Sequence, residues 1–346
     1  MDDIKRSAHT ACSVTAMIMT ILFISACGGG GGGGGVSSSS SSPPAVRVFD
    51  RPVLPQGASY SSEFSRQSAL GTLSLSSIYQ DNHAGFQVKT AVVDTGIDGS
   101  HSELETVKAG LDWHGSSAGL SDPQGHGTHV ASLLGGTRDG RGMHGIAPLA
   151  DITSYRIFDR NGSFGSKTGG QILPSLVADA RAKNIRFINN SWASNFEIAD
   201  LSKSVVNRSL GAELGAWQAA VADGMVLVWA ARNDGDDEVS IRAGLPYYHR
   251  YLQKGWLAVV AVDSTGREPR YTNRCGVARQ WCLTAPGGGD SVYLTGLYGA
   301  RSGGGYERRS GTSMAAPLVT GALALIKDAF PPIISATSCQ SPIANS

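Results

Sequence analysis

Residues 311–317 read Gly-Thr-Ser-Met-Ala-Ala-Pro, and small or apolar side chains continue from there to Ile326. This pattern predicts a helix, and Pro317 is compatible with it because backbone N–H groups in a first helical turn have no partner. Ser313 is then expected at the helix N-terminus. Free N–H donors and the positive end of the helix dipole suit a nucleophile whose attack creates an oxyanion. Because a serine at this position is also a common N-cap, the stretch alone leaves both interpretations open.

Two stretches upstream carry an acid and a histidine. Residues 90–98 read Thr-Ala-Val-Val-Asp-Thr-Gly-Ile-Asp, an apolar run that ends abruptly in Asp94 and a glycine turn. This pattern is typical of a buried parallel strand that delivers Asp94 to the carboxyl edge of a sheet, where open α/β proteins build their sites. Residues 125–134 read Gly-His-Gly-Thr-His-Val-Ala-Ser-Leu-Leu and predict a second small-residue helix with His126 at its start. An acid, an imidazole and an alcohol are the groups that activate a serine.

These three stretches resemble the signature blocks of the subtilisin-like serine peptidases, or subtilases. The order Asp, His, Ser agrees with that family and differs from the order in chymotrypsin and in α/β-hydrolases. The resemblance implies that Ser313 is the nucleophile, His126 the general base and Asp94 the group that orients the imidazole. It also implies that His129, the second histidine of its block, packs behind His126, and that Asp98 is a loop residue.

The resemblance further implies an oxyanion hole and a substrate edge. Asn233, within the block Ala-Ala-Arg-Asn-Asp-Gly, matches the family's oxyanion asparagine and would donate beside the backbone N–H of Ser313. A peptide substrate would add as a strand along the residues that follow a predicted strand, namely Ser191, Trp192 and Ala193.

Two residues depart from the family pattern near the expected primary specificity pocket. Arg232 stands where the family usually has glycine before the oxyanion asparagine, so that a long cation either narrows the pocket or favours acidic substrate residues. Ala193 replaces another common glycine and is expected to crowd the substrate edge modestly.

The pattern from residue 86 onward alternates strands with helices. Strands are predicted at 88–94, 151–158, 185–190, 225–231 and 256–262, and helices at 126–135, 169–184 and 211–223. This alternation predicts an α/β protein with a central, mostly parallel sheet covered by helices on both faces, which is the three-layer subtilisin-like fold implied by the resemblance. Upstream, residues 46–85 are expected to form an N-terminal extension with a helix near 63–78, and a propeptide role for it stays open.

The N-terminus predicts export. A short apolar run from Val14 to Ile24 follows Lys5 and Arg6, as in a signal peptide, and is too short to span a bilayer. It ends in Ile-Ser-Ala-Cys, which resembles the lipobox of bacterial lipoproteins and implies a signal peptide at 1–26 and lipidation at Cys27. The alternative is ordinary secretion with cleavage near Ala26. The Gly- and Ser-rich residues 27–45 predict a flexible tether.

A lipobox, a tether and a subtilase domain together resemble lipidated Gram-negative autotransporter subtilases. The resemblance implies an enzyme anchored by lipid at the outer membrane or cell surface, some members of which process secreted or surface proteins such as adhesins. Residues 86–330 would be the peptidase domain, and residues 331–346 no longer resemble the family, which we interpret as an aberrant, truncated tail. The competing hypotheses are a catalytically impaired surface lipoprotein that only binds peptides and an esterase with the same triad.

Composition and cysteines set the remaining expectations. The formal net charge of +1 among 346 residues gives no argument for nucleic acid, and we expect a monomer whose partners are polypeptide substrates. Cys275 and Cys282 are expected to form a disulfide in an exported protein; the alternative, a metal site, has no second pair of ligands nearby. No cofactor is expected to be required, and calcium binding is left open.

Overall fold

The structure is a computed structural model and describes residues 12–13, 51–54 and 57–330. Cys27, the tether at 27–45 and the tail at 331–346 lie outside the described residues, as does the segment 1–26 apart from Cys12–Ser13.

The central sheet has seven strands, all parallel: β1 (Lys89–Asp94), β2 (Val107–Asp112), β3 (Asp151–Arg156), β4 (Phe187–Asn190), β5 (Val226–Ala230), β6 (Trp256–Val262) and β7 (Cys282–Pro286). Their spatial order is β7-β6-β5-β4-β1-β3-β2, and Cys12–Ser13 pairs in parallel with the outer edge of β7. A separate antiparallel hairpin joins β8 (Leu297–Ala300) to β9 (Tyr306–Arg309). The five predicted strands are confirmed, whereas β2, β7 and the hairpin had not been predicted.

Helices cover both faces of the sheet. They are α1 (Ala58–Arg66), α2 (Ser68–Thr72), α3 (Ser76–Gln80), α4 (His126–Gly135), α5 (Gly169–Ala182), α6 (Lys203–Leu210), α7 (Ala212–Ala222), α8 (Val292–Thr295) and α9 (Thr312–Ala329). Short 3₁₀ turns occur at Ser102–Leu104, Leu245–Tyr247, Arg250–Gly255 and Gly276–Ala278. The predicted helices at 126–135, 169–184 and 211–223 correspond to α4, α5 and α7.

Two hydrophobic cores follow from the alternation of side chains along the buried strands. On one face, residues such as Val92 and Val228 pack with α4 and α9. On the other face, Val93 and Trp229 pack with α5 and α7. The protein therefore has three layers, as predicted.

The N-terminal extension is part of the first core. Leu70 and Leu75 are fully buried in the same core as α9. The amide of Gln67 donates to the carbonyl of Tyr298 at 2.6 Å, and Arg51 forms an ion pair with Asp328 near the end of α9 at 2.5 Å. The expected helix near 63–78 is wrong as one continuous helix, because the chain breaks into α1, α2 and α3, with Ser74 at a φ of 55° between the last two.

Candidate active site

Three elements bring their ends to the carboxyl edge of the sheet. Asp94 is the last residue of β1, His126 the first residue of α4 and Ser313 the second residue of α9. The β1–β4 register pairs Val92 with Asn189, so continuation of the two strands brings Asp94 level with Ser191. The Ser313 hydroxyl donates to the Ser191 carbonyl at 3.0 Å. Ser313 therefore lies at the edge to which β1 delivers Asp94.

Asp94 and His126 are in direct contact. His126 Nδ1 lies 2.8 Å from Oδ1 and 3.0 Å from Oδ2 of Asp94, whose side chain is only 2% exposed. With Nδ1 held by the carboxylate, Nε2 is the ring nitrogen left to accept a proton. Burial lowers the pKa of the His126 imidazole, but the charge of Asp94 and its hydrogen bond outweigh burial, and the pKa is raised above the ordinary value.

The close approach of α4 to β1 depends on a glycine. A Cβ atom at Gly127 would collide with the carbonyl oxygen of Gly96 and would lie 3.0 Å from Cβ of Asp94. Any side chain at Gly127 would therefore force the start of α4 away from β1 and separate His126 from Asp94.

Asn233 contacts the N-terminus of α9. Its Oδ1 accepts from the N–H of Thr312 at 2.8 Å and from the Thr312 hydroxyl at 2.9 Å. Because Oδ1 is held in this way, the NH₂ group is the half of the amide left to donate. The Asn233 amide and the backbone N–H of Ser313 thus belong to the same helix terminus, where negative charge is stabilised.

Comparison with known proteins gives the family. Residues 85–346 match the family model described as the subtilase family, which is more than half of the chain and includes residues 331–346, where the resemblance was expected to have ended. The chain belongs to the subtilase family.

Individual relatives of this subtilase include a thermostable alkaline protease of Halalkalibacterium halodurans, 34% identical over 247 residues that make up 71% of this chain and 58% of the relative. An extracellular serine protease of Serratia marcescens is 27% identical over 78% of this chain and 30% of its own length. Among solved structures, a cold-adapted subtilisin-like serine proteinase is 28% identical, with a TM-score of 0.54 over 72% of this chain and 78% of that one. The subtilase thus spans 58% and 30% of the length of these two curated relatives.

Arg232 has a backbone conformation that favours glycine. Its φ is 113°, in the region that L-residues rarely adopt, which accounts for the glycine usual in subtilases at this position. Its side chain is 20% exposed and forms ion pairs with Asp234 and, at 3.9 Å, with Asp236. The chain's own carboxylates thus already pair with this cation.

Within the expected substrate edge, Ser191 is buried, whereas Trp192 and Ala193 are half-buried. The Trp192 ring packs towards the second core, 5.2 Å from the Trp229 ring and with the Arg242 guanidinium 4.7 Å from its centre. Within the described residues, the main-chain groups of Trp192 and Ala193 form no hydrogen bond to other main-chain groups. An added strand could therefore bond to them without displacing an existing partner.

The other histidine and acid of the signature blocks are structural. His129 is completely buried, its Nε2 lies 3.2 Å from the Leu297 carbonyl, and burial together with nearby positive charge lowers its pKa to about 3. Asp98 accepts from the N–H groups of Ser100 and Gly303 in a loop. Both positions agree with the roles expected from the sequence.

Asp122 is a buried group to which sequence analysis assigned no role. It lies four residues before His126, and its carboxylate accepts backbone N–H groups at the start of α4. An acid just ahead of a helix is a common capping signal and could have indicated this position.

The predicted disulfide is confirmed. Cys275 and Cys282 are bonded, with their Cα atoms 5.9 Å apart. The alternative of a metal site at these two cysteines is therefore wrong.

Proposed function

We propose that this subtilase is a serine endopeptidase with Asp94, His126 and Ser313 as its catalytic triad. The Ser313 hydroxyl attacks the substrate carbonyl while His126 Nε2 takes its proton, and the C–N bond then breaks as the imidazolium returns that proton to the leaving amine. Water hydrolyses the resulting acyl-enzyme by the same route. Asp94 keeps the imidazole oriented and stabilises its charged form without itself becoming protonated.

The contact between His126 Nδ1 and Asp94 is the observation that carries this proposal. A base must be oriented before it can take a proton from a hydroxyl, and the 2.8 Å hydrogen bond to Asp94 supplies that orientation. The second requirement is a set of donors for the negative charge that develops on the substrate oxygen. The Ser313 N–H and the Asn233 amide, both at the N-terminus of α9, would supply them.

The substrate is expected to be an extended polypeptide. Unpartnered main-chain groups at Trp192 and Ala193 suit recognition by strand addition, in which backbone bonds supply affinity and side-chain pockets supply selectivity. Secreted or surface proteins, such as adhesins, are the substrate class that the resemblance to lipidated autotransporter subtilases implies.

A fluorophosphonate probe tests the triad directly, because it labels only an activated serine. We expect the native protein to be labelled, Ser313→Ala to be unlabelled and Ser77→Ala, altered at an exposed serine in α3 of the N-terminal extension, to be labelled as the native protein is. Absence of labelling in the native protein would favour the competing function, a catalytically impaired surface lipoprotein that only binds peptides; the strained Arg232 beside Asn233 is the observation that motivates it. Labelling that persists in Ser313→Ala would contradict the assignment of the nucleophile. Comparison of turnover on matched peptide and ester substrates distinguishes a peptidase from an esterase.

We also propose that the protein is exported and anchored by lipid at Cys27, at the outer membrane or cell surface. The apolar run ending in Ile-Ser-Ala-Cys supports this, and the Serratia marcescens relative is itself named as extracellular. No helix among residues 57–330 is long and apolar enough to cross a membrane. Radiolabelled palmitate should enter the native protein and Cys339→Ala but not Cys27→Ala; incorporation that survives in Cys27→Ala would refute this anchor.

A further inference from the structure

A buried carboxylate beside the active site has no role in the chemistry described above. Asp122 is 4% exposed, and its carboxylate accepts five hydrogen bonds. Oδ1 accepts from the Thr95 hydroxyl and the Gly125 N–H, both at 2.8 Å, and from the Gln124 N–H at 3.3 Å. Oδ2 accepts from the N–H and the hydroxyl of Thr128 at 2.8 and 2.7 Å. Because both oxygens of this buried carboxylate accept hydrogen bonds, the groups that donate to them are held in fixed positions.

Two residues that donate to Asp122, Thr95 and Gly125, are adjacent in the chain to Asp94 and His126. Thr95 follows Asp94 directly, and its N–H donates to Asp94 Oδ1 at 2.8 Å. The Thr95 hydroxyl in turn accepts from the N–H of Gly127, the residue after His126, at 3.0 Å. Asp122 therefore connects the end of β1 to the first turn of α4.

The charge of Asp122 acts in the same direction as its hydrogen bonds. A carboxylate at the start of α4 stabilises the positive end of that helix. The charged groups with the largest effect on the pKa of His126 are Asp94, Arg309 and Asp122, and the titratable His129 lies on the same helix. Burial lowers the pKa of His126 and Asp94 raises it, while Arg309 lowers it and Asp122 raises it. Loss of the Asp122 charge would therefore disfavour the imidazolium that forms during catalysis.

We propose that Asp122 is a positioning residue, which aligns the Asp94–His126 pair with Ser313 through Thr95 and the first turn of α4. This inference rests on the proposed peptidase function, since it concerns the alignment of the same catalytic pair. Displacement of a catalytic group by about 1 Å can reduce turnover on the order of a hundredfold. Within the described residues, the hydrogen bonds of the Asp122 carboxylate go to Thr95 and to the start of α4, and none goes to the substrate edge at Trp192, so the effect is expected on kcat rather than on KM.

Asp122→Asn is the first test, because it conserves size but removes the charge and directs a donor at groups that donate. We expect kcat to fall about 10- to 100-fold with KM within about threefold, and the acid limb of the kcat/KM profile to shift to lower pH. The matched control is Asp328→Asn, a buried carboxylate that accepts the N–H groups of Ala84 and Gly85 near the far end of α9. The control is expected to lose stability with kcat and the acid limb unchanged. If Asp122→Asn behaves as this control does, the positioning role is overturned.

A second pair of variants keeps the test valid should Asp122→Asn fail to fold. Thr95→Val removes the hydroxyl that joins Asp122 to Gly127, and Thr95→Ser retains it. We expect kcat to fall about tenfold in Thr95→Val and to stay within about twofold of native in Thr95→Ser. Equal kcat in Thr95→Val and the native enzyme would contradict the proposed connection.

An NMR titration separates this inference from the proposed function, because it needs no turnover. With ¹³C-labelled histidine in a Ser313→Ala background, the His126 pKa is expected to be lower in Asp122→Asn and unchanged in Asp328→Asn. If the native protein neither reacts with the probe nor cleaves peptides, but the His126 pKa still falls in Asp122→Asn, the peptidase function is refuted. The link between Asp122 and His126 is then retained. An unchanged His126 titration in an active enzyme would refute the positioning role alone.

Discussion

Arg232 forms an ion pair with Asp234 while its backbone holds a φ of 113°. The position immediately precedes Asn233, whose Oδ1 is bound to the start of α9. The Arg232 N–H also lies 3.2 Å from the Thr312 hydroxyl, so the conformation is fixed by the same helix terminus that carries Ser313. Strain is thus held next to the expected oxyanion hole rather than in a remote loop.

Arg232→Gly is predicted to relieve this strain. Because the pair with Asp234 is partly exposed, its loss is expected to cost less than about 1 kcal/mol, whereas the strained backbone costs on the order of 1–3 kcal/mol. The glycine variant should therefore be more stable in urea than Arg232→Ala, which loses the charge but retains the strain. The glycine variant should also cleave substrates with larger residues before the scissile bond. Equal stability of the two variants would contradict the strain, and an unchanged size preference would contradict a narrowed pocket.

The pH dependence of turnover is predicted from the raised pKa of His126. The base must be neutral, so kcat/KM should rise with pH through a midpoint above the ordinary histidine value of about 6.5. In Asp94→Asn the partner charge is lost, the midpoint should move to lower pH, and kcat should fall on the order of ten-thousandfold. Asp112→Asn, altered at another acid that ends a strand, serves as the control. A midpoint that is the same in Asp94→Asn and the native enzyme would show that another group titrates.

Removal of the Asn233 amide is predicted to slow the chemical step. Asn233→Asp conserves the acceptor to Thr312 but replaces the donor with a second oxygen, and Asn233→Ala removes both. Both variants should lose at least about 100- to 1,000-fold in kcat, the range known for loss of one such donor in subtilisin, with the native KM. Asn184→Gly, at an exposed asparagine that precedes β4 and has a φ of 57°, should keep the native kcat. Native turnover in Asn233→Asp would exclude the side chain as an oxyanion donor.

Two buried acids predict a loss of stability at alkaline pH. Glu63 and Glu103 are 1% and 2% exposed, and burial raises the pKa of each to about 7. Since the folded pKa exceeds the unfolded one of about 4.5, their contribution to stability is complete below that value and is lost as pH rises through about 7. Urea unfolding at about pH 5 and about pH 8 should show this decline in the native protein and a weaker one in Glu63→Gln/Glu103→Gln. If the free energy of unfolding declines with pH as steeply in the double variant as in the native protein, Glu63 and Glu103 are not the cause. A weaker decline in the exposed control Glu268→Gln would also count against them.

The sequence predicted the parts of the fold whose local pattern agrees with their tertiary environment. The apolar run before Asp94 is buried on both faces of the sheet, and α4 begins at His126 as expected. Strand β2 was missed because it is an edge strand that includes a glycine and exposed positions, so its pattern differs little from that of a loop. The hairpin of β8 and β9 was missed for a similar reason, since its second strand is rich in arginine.

The candidate site was predicted less completely than the sheet. Motif spacing indicated Asp94, His126 and Ser313, but a one-dimensional pattern cannot show that Asp122 accepts donors from both β1 and α4. The conformation of Arg232 is likewise a consequence of its contact with Thr312, which is 80 positions away in the chain. Both properties arise from contacts between distant segments, which local propensity does not encode.

Leu70, Leu75 and Tyr79 lie upstream of residue 85, where the match to the subtilase family model begins, yet they share a core with the helix that bears Ser313. The packed core is therefore larger than the region that matches the family model. A recombinant fragment trimmed to the homology boundary would leave that helix with an uncovered apolar flank, and its failure to cleave peptides would report misfolding rather than an absent activity. Enzymatic work on this protein needs fragments that begin no later than Arg51.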